Sequence, residues 1–163
     1  MIDLTRSLRH LAWADAKLFA DLAAMPAAAY DVPTKEGGQT VGELARHIVD
    51  GAEWYCFCLN GNPWTELPLP RSREDLTVLA TRLEALDRML LAEALVPDAQ
   101  VTFSDEGGVS RAMRSTILAQ ACYHATEHRA QLALALDLAG IGGIDLDTYD
   151  FWAFESHEHG TAG

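Results

Sequence analysis

The chain has 163 residues, of which 49% are apolar and 22% charged, the balance of one globular domain large enough to bury a core without disulfides or a structural metal. Its 12 Lys and Arg against 24 Asp and Glu leave a formal net charge of -12, which repels a phosphate backbone, and no basic cluster offsets it, so no nucleic-acid partner is expected. No stretch approaches the roughly 20 apolar residues that span a bilayer, and Asp3 and Asp15 interrupt the N-terminal apolar run, so neither a membrane partner nor a signal peptide is expected and the default location is cytoplasmic.

Four long segments carry helical periodicity, separated by Pro and Gly turns. The first runs from about Asp3 to Met25, with Leu4, Leu8, Leu11, Leu18 and Leu22 on one stripe, and stops at Pro26. Asp15 falls inside that stripe, where a carboxylate is costly unless it is paired. It is read either as satisfied by nearby polar groups around Trp13 or a backbone amide, or as a metal ligand or the partner of a ligating imidazole. His10 lies off the apolar face and is expected to be exposed.

The second segment opens on Thr40 with Glu43 three residues later, a capping box, and stops at Asn60-Gly61-Asn62-Pro63; its stripe is Val41, Leu44, Ile48, Ala52 and Tyr55. The third opens on Ser72 with Asp75, carries Leu76, Leu79, Leu83, Leu86 and Leu90, and stops before Pro97; it is read as purely structural. Gln100 to Ser104 alternates weakly and meets the turn signal Asp105-Glu106-Gly107-Gly108, which predicts a short hairpin. The fourth helix is expected from Ser110 or Arg114 to Ala139, and a last short helix from Asp147 to Glu155. Four long amphipathic helices joined by loops predict one all-α domain, a four-helix bundle. Cys56, Cys58 and Cys122 lack C-x-x-C spacing and are read as reduced core thiols.

On the fourth helix, Ile117, Ala121, His124, His128, Leu132 and Ala135 fall along one stripe, which turns both imidazoles inward. Histidines four residues apart on one helical face can each direct a nitrogen at a single metal ion. His47, on the second helix, shares a side with Gly51, Trp54 and Cys58; alone it reads as a surface histidine, but a ligand from a facing helix is what a bundle metal site requires. His157 and His159 sit in a Gly-ending tail and are read as exposed.

These residues resemble the DinB/YfiT-like family of metalloenzymes over nearly the whole chain. The blocks are Trp13-Ala14-Asp15-Ala16-Lys17-Leu18, Thr40 to His47-Ile48, and His124-Ala-Thr-Glu-His128-Arg129-Ala130-Gln131, followed by Asp150 to Phe154. The resemblance implies a four-helix bundle, a homodimer, and a divalent metal held by His47, His124 and His128. Zinc or nickel is expected first, with iron, cobalt and copper also compatible with three nitrogen donors. Asp15 stands where the family commonly has Asn and Glu127 where an aromatic is common, so the pocket is expected to be more acidic, and these two are the catalytic candidates.

Three neutral imidazoles leave a divalent ion its full charge and open positions, the catalytic rather than the structural pattern. The resemblance implies chemistry on a small-molecule substrate, either transfer or isomerisation that uses a low-molecular-weight thiol, or hydrolysis. His124-Ala-Thr-Glu127-His128 also matches H-x-x-E-H, the inverted zinc-protease motif, but Arg129 to Gly163 is too short for the further ligand region of such a protease. The alternative from another class is a non-enzymatic helical module that binds a metal or small ligand.

Overall fold

The structure is a computed structural model that describes residues 4–105 and 107–160. Over that range the chain is mostly helical: α1 (Leu4–Ala24), α2 (Val41–Asn60), α3 (Arg73–Glu93), α4 (Arg114–Leu138) and α5 (Phe151–Glu158), with one hairpin of β1 (Gln100–Asp105) and β2 (Gly108–Met113) between α3 and α4. Asp3, Glu106 and the last three residues fall outside the described range. No helix among the described residues is long and apolar enough to cross a membrane.

The start signals act as local chemistry requires. The Thr40 hydroxyl accepts from the Glu43 amide at 3.2 Å while the Glu43 carboxylate accepts from the Thr40 amide at 2.8 Å. Ser72 and Asp75 make the same reciprocal pair at the head of α3. Two backbone donors that a helix start leaves unpaired are thereby satisfied at each end. At the other end of α2, Gly61 takes φ 73°, a left-handed turn that suits a residue without a Cβ, and its amide closes on the Phe57 carbonyl.

Ser110 lies in β2, so the fourth helix takes the later of its two expected starts. The hairpin pairs Gln100 with Met113 through to Asp105 with Gly108 and runs directly into α4. Met113 caps nothing with its side chain; Asp98 does so from across the hairpin, accepting from the Ser115 amide at 3.0 Å and from its hydroxyl at 2.8 Å. The expected helix from Asp147 to Glu155 is split: a 3₁₀ turn covers Leu146–Tyr149, and α5 begins afresh at Phe151 because the Asp150 carboxylate caps the Ala153 amide at 2.8 Å.

The four long helices contact one another in a closed cycle, α1 with α3, α3 with α2, α2 with α4 and α4 with α1. The predicted leucine stripe of α3 is buried throughout, as are Leu8, Leu11, Leu18 and Leu22 of α1 and the whole α2 stripe. The cycle places the α2/α4 seam on the opposite side of the core from the α1/α3 seam. The hairpin leans on α2, with Phe103 edge-on to Trp54 at 5.8 Å between centroids.

Candidate metal centre

α2 and α4 bring His47, His124 and His128 together. One nitrogen from each lies within 4.8 Å of the others, and the three rings are half-buried. Their centroids stand 5.0 Å apart for His47 and His124, 4.7 Å for His47 and His128, and 4.3 Å for His124 and His128. The Nε2 atoms of His47 and His124 are 3.3 Å apart. Among the described residues no carboxylate or thiol joins the set.

Two of the rings are seated by neighbours outside the cluster. His128 Nδ1 is 2.9 Å from Gln131 Oε1, and because that amide oxygen accepts, the proton is held on Nδ1 and the lone pair on Nε2. His124 lies against Gly51 of α2, where a Cβ would meet Cε1 at 2.3 Å, and edge-on to the Tyr55 ring at 5.7 Å. Burial, followed by the neighbouring His128 and His47, pulls the His124 pKa down to about 4. His47 is lowered by the same kinds of cause, burial first and then His128. Both rings are therefore neutral donors at neutral pH.

The two candidate carboxylates are elsewhere. Glu127 is exposed on the outer side of α4. Asp15 is buried at 2% exposure and is taken up by the Arg129 guanidinium at 2.9 Å, not by an imidazole or by polar groups around Trp13. Arg129 is itself 3% exposed and occupies the stripe position expected of the histidines, so His124 and His128 stand at the margin of the core, not in its middle. Beside this pair, α3 contributes Asp87, 4% exposed, which the leucine pattern hid. Burial pushes Asp15 up to about 6, against the pull of Arg129, and holds Asp87 well above the usual carboxylate range, with Asp15 adding to the effect. Asp15 and Asp87 also line a cavity of ≈ 10 Å³ beneath His124, room for about one water.

The other histidines and the cysteines take no part in the cluster. His10 is half-buried, not exposed: its ring stacks on Phe151 at 4.1 Å and its Nε2 donates to the Tyr149 carbonyl at 2.7 Å. His157 and His159 are exposed as expected. Cys56 and Cys58 are buried and Cys122 is half-buried, all are free, and burial raises the three thiols to about 12, 11 and 11. A thiol so held is a poor ligand and a poor nucleophile. A second polar group missed by the sequence, Glu53 on α2, pairs with Arg82 of α3 at 2.6 Å and accepts from the Thr65 amide at 3.1 Å, which pins the loop after α2 to the core.

Fold and site together define a mostly helical protein with a three-histidine cluster on one helix seam. The chain belongs to the DinB family, whose model matches residues 1–159. No curated protein and no solved structure matches it.

Proposed function

We propose that this DinB-family protein is a four-helix-bundle metalloenzyme in which His47, His124 and His128 hold one divalent ion, zinc or nickel first, for chemistry on a small molecule. The observation that carries this reading is the convergence of three imidazole nitrogens within 4.8 Å of one another, with no carboxylate among them in the described residues. Two ligands about 2.0–2.1 Å from a tetrahedral zinc stand about 3.3–3.4 Å apart, and the His47 and His124 nitrogens are at 3.3 Å. Gln131 fixes the tautomer of His128, and the missing Cβ of Gly51 leaves the seat for His124.

When bound, such an ion acts as a Lewis acid and lowers the pKa of a water or thiol that joins it. The chain's residues supply an uncharged donor set, so the ion keeps its charge and favours an anionic partner. The half-exposed rings leave one side of the cluster open to that partner. The internal cysteines are too buried to serve, so a thiol would come from outside, as a low-molecular-weight thiol. Thiol-dependent transfer or isomerisation is therefore the first reading and hydrolysis the second. A non-enzymatic metal-binding role draws support from one feature, the small size of the cavity under His124. The protein is further proposed to act as a homodimer, with Phe151 and the 78%-exposed Trp152 offering apolar surface for the contact.

The first test is elemental analysis of untagged protein purified without added metal. The second is titration of the cobalt-substituted protein with glutathione, bacillithiol and mycothiol. A sulfur-to-metal charge-transfer band that disappears in His124→Ala supports thiol ligation. Loss of the thiol reading follows if no thiol perturbs the spectrum while a test ester or amide is still cleaved. A metal-free protein that takes up no stoichiometric metal on addition removes the site itself.

A further inference from the structure

His128 and His124 differ in what meets the ring nitrogen that is not turned to the cluster. An imidazole that ligates through Nε2 carries its proton on Nδ1, and ligating histidines commonly give that proton to a carboxylate, a carbonyl or a water. His128 gives it to Gln131, at 2.9 Å. His124 turns Nε2 toward His47 at 3.3 Å, and among the described contacts no protein acceptor takes its Nδ1.

The fold offers an acceptor through the small cavity beneath the ring. All four long helices line it, and among the described residues its polar side chains are Asp15, Tyr55, Asp87 and His124. At ≈ 10 Å³ it has room for about one water, which at an internal site needs about two to four polar partners. Asp15 is hydrogen-bonded to Arg129, and the Tyr55 hydroxyl is engaged with Gln120. Asp87 is the carboxyl that remains. Burial holds it well above the usual carboxylate range, and a neutral carboxyl still accepts through its carbonyl oxygen, so no charge on Asp87 is required.

We infer that one ordered water in this cavity accepts from the His124 Nδ1–H and donates to the Asp87 carboxyl, so that Asp87 is a positioning residue for His124. Its effect on the ion rests on the metal reading, because Asp87 acts there only through the water and the ring. The water and the tautomer belong to the metal-free chain as well.

The test uses the full metal-free chain with isotope-labelled histidine, studied by NMR at neutral pH. His124 should hold the Nδ1–H tautomer, and water should give cross-peaks to the methyls of Ala52, Leu90 and Ala121, which line the cavity. Asp87→Leu keeps the shape and removes both oxygens. It should expel the water, release His124 to a mixture of tautomers, and weaken metal binding at least about tenfold in competition with a chelator. Stability in urea should not fall, because a buried carboxyl is costly to the fold. Asp87→Asn keeps an acceptor oxygen and should retain the water, the tautomer and the affinity. Ala121→Val fills the cavity with Asp87 in place; it should reproduce the losses of Asp87→Leu and remains available if that variant does not fold. A dry cavity, an Nε2–H tautomer in the wild type, or an unchanged tautomer in Asp87→Leu overturns the inference. So does an Asp87→Asn protein that behaves as Asp87→Leu. A wild type that shows the water and the tautomer but takes up no metal refutes the metal reading and still supports the link from His124 to Asp87.

Discussion

Gly51 of α2 stands so close to His124 of α4 that a Cβ built on it would lie 2.3 Å from Cε1 and 2.8 Å from Nδ1. A glycine inside a helix costs about 1 kcal/mol relative to alanine, and here the missing methyl is the space that the imidazole fills. Gly51→Ala should therefore separate two quantities that most substitutions change together. The helix gains propensity, while His124 must turn away from His47. Metal affinity should fall at least about tenfold, the effect expected from disturbing the support of a ligand, with helical content unchanged. Competition with a chelator measures the first and circular dichroism the second; unchanged affinity would show that the ring can shift without leaving the cluster.

The cluster draws its nitrogens from two helices, so no single helix can hold the ion alone. His47→Ala, His124→Ala and His128→Ala should each reduce tightly bound metal to well below one per chain. Combined replacement of His157 and His159, which lie exposed on α5 and just after it, should leave the metal content as it was. Elemental analysis of the set decides the matter, and three core variants that all retain one metal would remove the assignment.

Helix positions were legible because they follow from local chemistry. The capping boxes at Thr40 and Ser72 and the leucine stripes state where α2 and α3 begin and which face they bury. His124 and His128 are legible as a pair because i, i+4 spacing survives any small error in helix rotation, whereas His47 joins them only through the need for a ligand from a facing helix and the family resemblance. The burial of His124 and His128 was not legible: the wheel put them in the middle of the stripe, whereas Arg129 holds that place. An arginine in a core is expected only when its partner is known, and Asp15 is 114 residues away in the chain. Asp87 was hidden for the same reason, since a carboxylate beside Leu83, Leu86 and Leu90 reads as the polar side of an amphipathic helix. The burial of His10 is not legible in α1, because the 3₁₀ turn and α5 that cover it lie more than 130 residues away.

The Arg129 guanidinium is the only cation hydrogen-bonded to Asp15 among the described contacts, and both groups are almost fully buried. Replacing the pair with apolar residues need not destabilise the fold, but removing one partner leaves the other charge buried. Arg129→Met should cost about 3–5 kcal/mol in urea unfolding. Adding Asp15→Asn should restore part of that loss, because the amide carries no charge to strand. Additive losses in the double variant would mean that the two side chains stabilise the protein separately.

The metal-free protein should lose stability in acid partly through His124. Its folded pKa is about 4 against an ordinary 6.5, chiefly because burial disfavours the charged ring, with His128 and His47 adding to it. Between those two values the unfolded chain holds more protons at this site than the folded one, so stability falls as the pH drops through the window. Asp15 acts with the opposite sign: raised to about 6 from 3.8, it contributes stability at low pH that is lost as the pH rises through about 6. Asp87, also raised, works in the same direction as Asp15. The opposing slopes flatten the wild-type curve, and a variant comparison isolates the histidine. Metal-free His124→Gln should lose less stability than the wild type between about pH 7 and about pH 4, because the amide does not titrate while both carboxyls remain. Urea unfolding at several pH values measures the difference, and parallel curves for the two proteins would show that protonation of His124 does not oppose the fold.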